Sequence, residues 1–154
     1  MAVHPLRYTY FHIPASSAFP NGRIAPRPVL SLSLAKGPKR VSCYAIIDSG
    51  ADYCVFPLSF MQSLGLDPLI APIELTAGVG RRGLPTYFAD IVVNMQNAVE
   101  FPLYAGFTSG LDHVGRGLLG QIGFFDRFNV GFRLCDKTCY IEIPDPLPVP
   151  PAAV

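Results

Sequence analysis

The residues best suited to chemistry lie in an acidic turn between two apolar runs. Asp48 directly follows the first run, Ser49 and Gly50 come next, and the second run begins at Cys54. Asp-Ser-Gly is by itself a common turn sequence, because a short polar side chain can hydrogen-bond its own backbone and Gly accepts a positive φ. At the end of a strand, the same carboxylate can act as a base toward water when a second carboxylate shares its proton.

A second motif occurs later in the chain, where two bulky apolar residues and a glycine, Leu118, Leu119 and Gly120, precede residues 121–128. In that segment apolar side chains recur at helical spacing, which predicts a short helix. In this order, the two motifs resemble the catalytic loop and its supporting segment in retropepsin-like aspartic proteases. The resemblance extends over residues 29–143.

The resemblance implies an all-β fold, a retropepsin-like closed β-barrel (the acid protease fold) with a flap hairpin and one or two short helices. Residues 1–143 would form a single domain, and the Pro-rich tail at 144–154 is expected to be disordered. The motif from Leu118 to Gly120 would support the catalytic loop. Many viral members have Arg where this chain has Gln121, so an Arg-based dimer contact is not expected there.

The implied activity is that of an aspartic endopeptidase, which hydrolyses peptide bonds with a water activated by two Asp residues. None of the other seven Asp residues is followed by Ser-Gly or Thr-Gly, so one chain supplies half of this dyad. The second half would be Asp48 of an identical protomer, which implies a homodimer through the active-site loop. The other expected partner is a peptide or protein substrate, and no cofactor is implied.

Each loop residue takes a role by its position in the resemblance. Asp48 is the expected catalytic acid, the Ser49 hydroxyl would reach the partner's loop, and Gly50 lets the backbone approach the dyad. Asp52 would accept hydrogen bonds from the substrate backbone, with a turn cap as the alternative. Because Ala51 has no hydroxyl to donate to the carboxylate, activity is expected to extend to weakly acidic or near-neutral pH. The expected substrate-binding residues are Ala51, Asp52, Gly78, Val79, Gly80 and Arg81.

Two segments with period-two alternation, residues 73–77 and 85–93, are joined by a Gly-rich link and predict a long β-hairpin. By resemblance, this hairpin is the flap that folds over the substrate, and the alternative is an ordinary surface hairpin. Arg81 and Arg82 near its tip would be solvated charges, or would favour acidic substrate residues.

The remaining patterns predict the elements that position these motifs. Residues 29–34 alternate apolar and polar, and with residues 41–47 they predict a hairpin that delivers Asp48 to the end of its second strand. A short helix is predicted at residues 57–65, between Pro and Gly. Further predicted elements are an edge strand at 7–13, a loop at 15–28, a strand at 100–105, a loop at 106–117 and a last hairpin of 130–134 with 138–143.

Composition excludes several classes of function. A formal net charge of +1 over 154 residues gives no basic face for nucleic acid. No apolar stretch is long enough to span a membrane and no signal peptide is visible, so a cytoplasmic protein is expected. Charged residues make up 15% of the chain, against about 25% in typical globular proteins. Either a large apolar contact with a partner or second copy, or a well-filled core, accounts for this.

The four cysteines and three histidines are the residues that could support other chemistry. Cys43 and Cys54 lie in apolar runs and are expected to act as small hydrophobes. Cys135 and Cys139 flank a turn and leave a disulfide or a zinc half-site open, but no His has metal-binding spacing, so no metal is expected. The adjacent Asp112 and His113 are expected to be a loop feature rather than part of a triad.

Two other classes of function fit the same residues. The first is a catalytically silent retropepsin-like module for dimerisation or peptide binding. The second is a β-barrel binding protein in which Asp-Ser-Gly is only a turn, and it predicts that Asp48→Ala leaves function unchanged.

Overall fold

The computed structural model describes residues 1–77, 83–95 and 98–149, and strands make up 55% of the structure. In this part of the chain there is one α-helix, α1, at Leu58–Ser63. The strands are β1 Ala2–Arg7, β2 Thr9–Ile13, β3 Arg23–Arg27, β4 Val29–Lys36, β5 Lys39–Ile47, β6 Val55–Pro57, β7 Ile73–Thr76, β8 Leu84–Met95, β9 Val99–Thr108, β10 Gly117–Leu119, β11 Asn129–Arg133 and β12 Thr138–Ile143. The predicted all-β fold is confirmed.

Six strands form a closed barrel in the order β4-β5-β10-β6-β9-β8, and pairing of β4 with β8 closes it. The β4–β5 hairpin is confirmed, with Leu30 opposite Ala45. Leu30 and Leu34 are fully buried because alternate residues of β4 face the barrel interior. Strand β7 pairs with β8 outside the closed barrel, as the predicted hairpin requires.

Two smaller sheets lie beside the barrel, one of β1, β12 and β11 and one of β2 and β3. The predicted last hairpin is confirmed as β11 and β12. The edge strand predicted at residues 7–13 is confirmed for residues 9–13, which form β2. Arg7 belongs to β1 instead, and between the two strands lies the buried Tyr8, whose N–H donates to the Lys137 carbonyl. The loop predicted at residues 15–28 is also wrong in part. Residues 23–27 of this segment form β3 despite their proline, because they pair with β2.

Helix α1 begins directly after Pro57, and Gly65 follows its end with a φ of +74°, as the Pro and Gly positions predict. Met61, at 1% exposure, packs into the barrel core. The carboxylate of Asp112 accepts a hydrogen bond from the Ser59 N–H at 3.0 Å, so this loop residue caps the first turn of the helix. The position of Asp112 is therefore explained by helix capping.

The helix predicted at residues 122–128 and ending at Asn129 is wrong, and successive turns occupy the segment. Gly123 has a φ of +98°, which interrupts a helix, and its N–H donates to the Asp126 carboxylate at 3.0 Å. Ile122 is exposed and forms a β-bridge with Tyr53, whereas Phe124 and Phe128 are buried. The β-bridge at Ile122 and the burial of the Phe124 and Phe128 rings together determine this conformation.

The described residues contain no helix long and apolar enough to cross a membrane. The predicted strand at 100–105 is confirmed and extends to Thr108, so the predicted loop at 106–117 begins later than expected. In the Pro-rich tail, Leu147 packs against the barrel core, and residues 150–154 lie outside the described part of the chain.

Candidate active site

The loop that holds Asp48 is built around β10. This strand pairs in parallel with β5, which enters the loop, and antiparallel with β6, which leaves it. Leu118 is the shared position, opposite both Ile46 and Val55. The Asp48 N–H donates to the Leu119 carbonyl at 3.0 Å, so the backbone of the acid is fixed at the strand end.

The Asp48 carboxylate is oriented by its own turn. The Gly50 N–H donates to Asp48 Oδ1 at 2.9 Å, and it is the one hydrogen bond that the carboxylate accepts from the described residues. Asp48 is half-buried, whereas Ser49 and Gly50 are exposed. A carboxylate with one oxygen anchored and the other open, on an exposed loop, can accept a proton from water or share one with a second carboxylate.

The segment after β10 clamps the other side of the loop. The backbone N–H groups of Gln121 and Ile122 donate to the carbonyls of Ala51 and Asp52, both at 2.9 Å. The Gln121 side chain donates from Nε2 to the Ser49 carbonyl at 3.0 Å. The amide of Gln121 therefore holds the main chain of the loop that contains Asp48.

We expect Gln121→Ala to lower the free energy of unfolding by about 0.5–1.5 kcal/mol, because the exposed Ser49 carbonyl loses its side-chain donor. The measurement is urea denaturation of the full chain. Gln62→Ala on the exposed face of α1 is the matched control, with an expected change within about 0.5 kcal/mol. Equal losses of stability in the two variants would show that the Gln121 side chain does not hold the loop.

The structure describes only some of the predicted substrate-binding residues. Ala51 and Asp52 lie in the same loop, and the exposed Asp52 carboxylate accepts no hydrogen bond from any described residue, so it does not act as a turn cap there. Its side chain is open to a ligand. The predicted residues Gly78, Val79, Gly80 and Arg81 lie outside the described residues, although β7 and β8 on either side form the predicted hairpin.

Sequence reasoning missed Tyr53, which follows the loop directly. Its hydroxyl hydrogen-bonds to the Thr76 hydroxyl of β7, and its ring packs edge-on against Phe88 of β8 at 5.0 Å. The available signal was an aromatic residue next to the acidic turn, with one threonine in each strand of the hairpin, Thr76 in β7 and Thr86 in β8.

Three of the four cysteines, Cys43, Cys54 and Cys139, behave as buried hydrophobes. Burial raises the pKa of Cys54, which is fully buried behind the loop, to about 12. The same cause raises the pKa of Cys43 to about 12 and that of Cys139 to about 11. These thiols stay protonated at neutral pH and are not set up as nucleophiles.

The positions of Cys135 and Cys139 bear on the two alternatives, a disulfide and a zinc half-site. Cys139 is buried in the core, whereas Cys135 is exposed with its Sγ 3.4 Å from the Asp136 carboxylate, and both are free thiols. The described residues contain no group of three or more His, Cys, Asp or Glu arranged for a metal.

Among solved structures, the chain is similar to a retropepsin-like aspartic protease from Rickettsia conorii, with a TM-score of 0.54 and 16% sequence identity. The match covers 92% of this chain and 94% of that chain. No protein-family model and no curated protein matches the sequence. At this identity the likeness establishes the fold, so the chain has the retropepsin-like all-β fold.

Proposed function

We propose that the protein is an aspartic endopeptidase whose active site forms when Asp48 of each of two protomers meets on a two-fold axis. The observation behind this proposal is the geometry of Asp48, whose backbone is fixed to β10 while one carboxylate oxygen stays open on an exposed loop. The retropepsin-like fold supports it, because the loop lies between two barrel strands as in proteins of that fold.

The second protomer is needed because peptide hydrolysis by carboxylates takes two of them. With the carboxyls roughly 3 Å apart, repulsion prevents both from ionising, so one accepts a proton from the lytic water while the protonated one polarises the scissile carbonyl. Within the described chain, Asp48 makes no hydrogen bond with another carboxyl group. An isologous contact between two exposed loops supplies the missing acid.

The remaining loop residues serve this reaction. The Ser49 hydroxyl joins the two loops, Gly50 leaves room for the substrate backbone, and the open Asp52 carboxylate accepts substrate N–H groups. The substrate lies extended beneath the β7–β8 hairpin and pairs with it as an added strand, and the residues proposed to bind it include Gly78, Val79, Gly80 and Arg81. Residues 1–143 form one domain that contains all of these parts.

We expect cleavage activity to extend to weakly acidic and near-neutral pH. The expectation rests on Ala51, which has no hydroxyl to donate at the dyad where Ser or Thr would have one. The measurement is kcat/KM from pH 2 to pH 8, with Ala51→Ser as the comparison. A wild-type profile that peaks below about pH 3 would contradict the expectation.

The test of the proposal is cleavage of a diverse peptide library, with the oligomeric state measured in parallel by sedimentation. A dimeric wild type that cleaves peptides only when Asp48 is intact supports the endopeptidase. A dimeric wild type that cleaves nothing supports a silent dimerisation or peptide-binding module instead.

A further inference from the structure

Tyr53 lies where the catalytic loop meets two other parts of the chain. Its backbone forms a parallel β-bridge with Ile122, in the segment that clamps the loop. The carbonyl of the next residue, Cys54, accepts a hydrogen bond from the Gly106 N–H at 2.9 Å. The main chain at Tyr53 is thus fixed by contacts with the barrel, and its side chain makes separate contacts outside the loop.

The Tyr53 side chain points to the hairpin of β7 and β8. Its hydroxyl hydrogen-bonds to Thr76 Oγ1, and Thr76 Oγ1 donates to Thr86 Oγ1 at 2.7 Å. A threonine hydroxyl has one proton, so when Thr76 donates to Thr86, the proton of the first bond comes from Tyr53. Thr86 is fully buried, and this chain of hydroxyls supplies a polar partner that its burial requires.

These side chains form a cluster separate from the barrel core, which we call the hairpin cluster. Its members are Tyr53, Thr76, Thr86, Phe88 and Tyr104. Phe88 is buried without belonging to the main core, because Tyr53 packs on it edge-on and Tyr104 stacks on it at 5.3 Å. Along β8 the burial pattern changes phase between Phe88 and Ile91, so Thr86 and Phe88 face the catalytic loop rather than the barrel interior.

We propose that Tyr53 is a positioning residue that ties the paired strands of the β7–β8 hairpin to the catalytic loop. Both threonine partners belong to the hairpin and none to the loop, so the free energy of this hydroxyl chain couples the two elements. Where the hairpin closes over a peptide, a role that rests on the proposed function, the tether sets its distance from Asp48. Loss of the hydroxyl therefore loosens the hairpin and weakens substrate binding while leaving the acid in place.

The test compares Tyr53→Phe with Tyr104→Phe in the full chain. Tyr104→Phe removes a hydroxyl from the same cluster, but that hydroxyl makes no hydrogen bond with any described residue. Amide hydrogen exchange is measured without substrate at residues 73–76 and 84–88. In Tyr53→Phe we expect exchange there to become roughly three- to tenfold faster, the effect of one lost hydrogen bond, and in Tyr104→Phe we expect no change.

With a peptide substrate, KM is expected to rise by a similar factor of roughly three to ten in Tyr53→Phe, while kcat changes less than about twofold. Thr76→Val removes this bond together with the bond to Thr86, so its own effect is expected to be larger, and the double variant is expected to match Thr76→Val alone instead of multiplying the two effects. A role in stability alone would lower the thermal midpoint without moving KM.

The outcomes separate this inference from the proposed function. Unchanged exchange at the hairpin in Tyr53→Phe overturns the tether, whether or not the wild type cleaves peptides. Faster exchange with an unchanged KM overturns its role in substrate binding. If the wild type cleaves nothing, the endopeptidase proposal and that role both fail, and the exchange measurement alone decides whether Tyr53 couples the loop to the hairpin.

Discussion

Asp48→Asn is expected to lower kcat/KM for peptide cleavage by on the order of 10³-fold or more, the contribution of a positioned acid–base group. An amide has nearly the shape of the carboxylate but neither accepts a proton from water nor shares one across the dyad. The Gly50 N–H can still donate to the amide oxygen, as it does to Asp48 Oδ1 at 2.9 Å, so the loop is expected to keep its conformation. Cleavage is measured on the peptides that the wild type selects from the library.

Asp90→Asn is the matched control for Asp48→Asn. It makes the same change of charge at an exposed position of β8, and its expected kcat/KM equals that of the wild type. Sedimentation of each variant shows whether a loss of activity reflects loss of the dimer. Equal cleavage by the wild type and by a dimeric Asp48→Asn would remove this carboxylate from the mechanism and favour the interpretation of Asp-Ser-Gly as a plain turn.

The parts of the fold that sequence predicted well have a local cause. In β4, alternate residues from Leu30 to Leu34 are buried, and period-two alternation in the sequence signals this directly. Helix α1 is bounded by Pro57 and Gly65, whose backbone preferences act without tertiary help. The turn at Asp48 was predictable for the same reason, because its turn residues and its two flanking strands are contiguous in sequence.

The parts that sequence missed depend on distant contacts. The aromatic spacing at residues 122–128 is helical, yet the bridge between Ile122 and Tyr53 and the positive φ of Gly123 prevent a helix. The partner of the Tyr53 hydroxyl lies 23 residues away at Thr76, a pairing that no local pattern encodes. The role of Gln121 was likewise hidden, because its side chain contacts a carbonyl 72 residues earlier in the chain.

The motif at residues 118–120 combines a local pattern with distant contacts. Leu119 and Gly120 are recognisable in sequence but act through tertiary contacts. Leu119 is fully buried, and its carbonyl accepts the Asp48 N–H. Gly120 lies against the main chain of the catalytic loop, where a side-chain carbon would come within 2.6 Å of the Tyr53 carbonyl carbon and 2.7 Å of the Ala51 oxygen. The glycine is required by close approach of two backbones.

Gly120→Ala is therefore expected to lower the free energy of unfolding by roughly 2–4 kcal/mol and to abolish Asp48-dependent cleavage. The atoms that the new methyl group meets are backbone atoms, so the clash is relieved only if the whole loop moves and the hydrogen bond from Gln121 N–H to Ala51 breaks. Denaturant unfolding and peptide cleavage measure the two effects. Gly37→Ala is the control, because it has open space but a φ of +55°, and its expected cost is about 1 kcal/mol with full activity. If Gly120→Ala matched this control in both stability and cleavage, the close packing of the two backbones would not be what holds Asp48 in position.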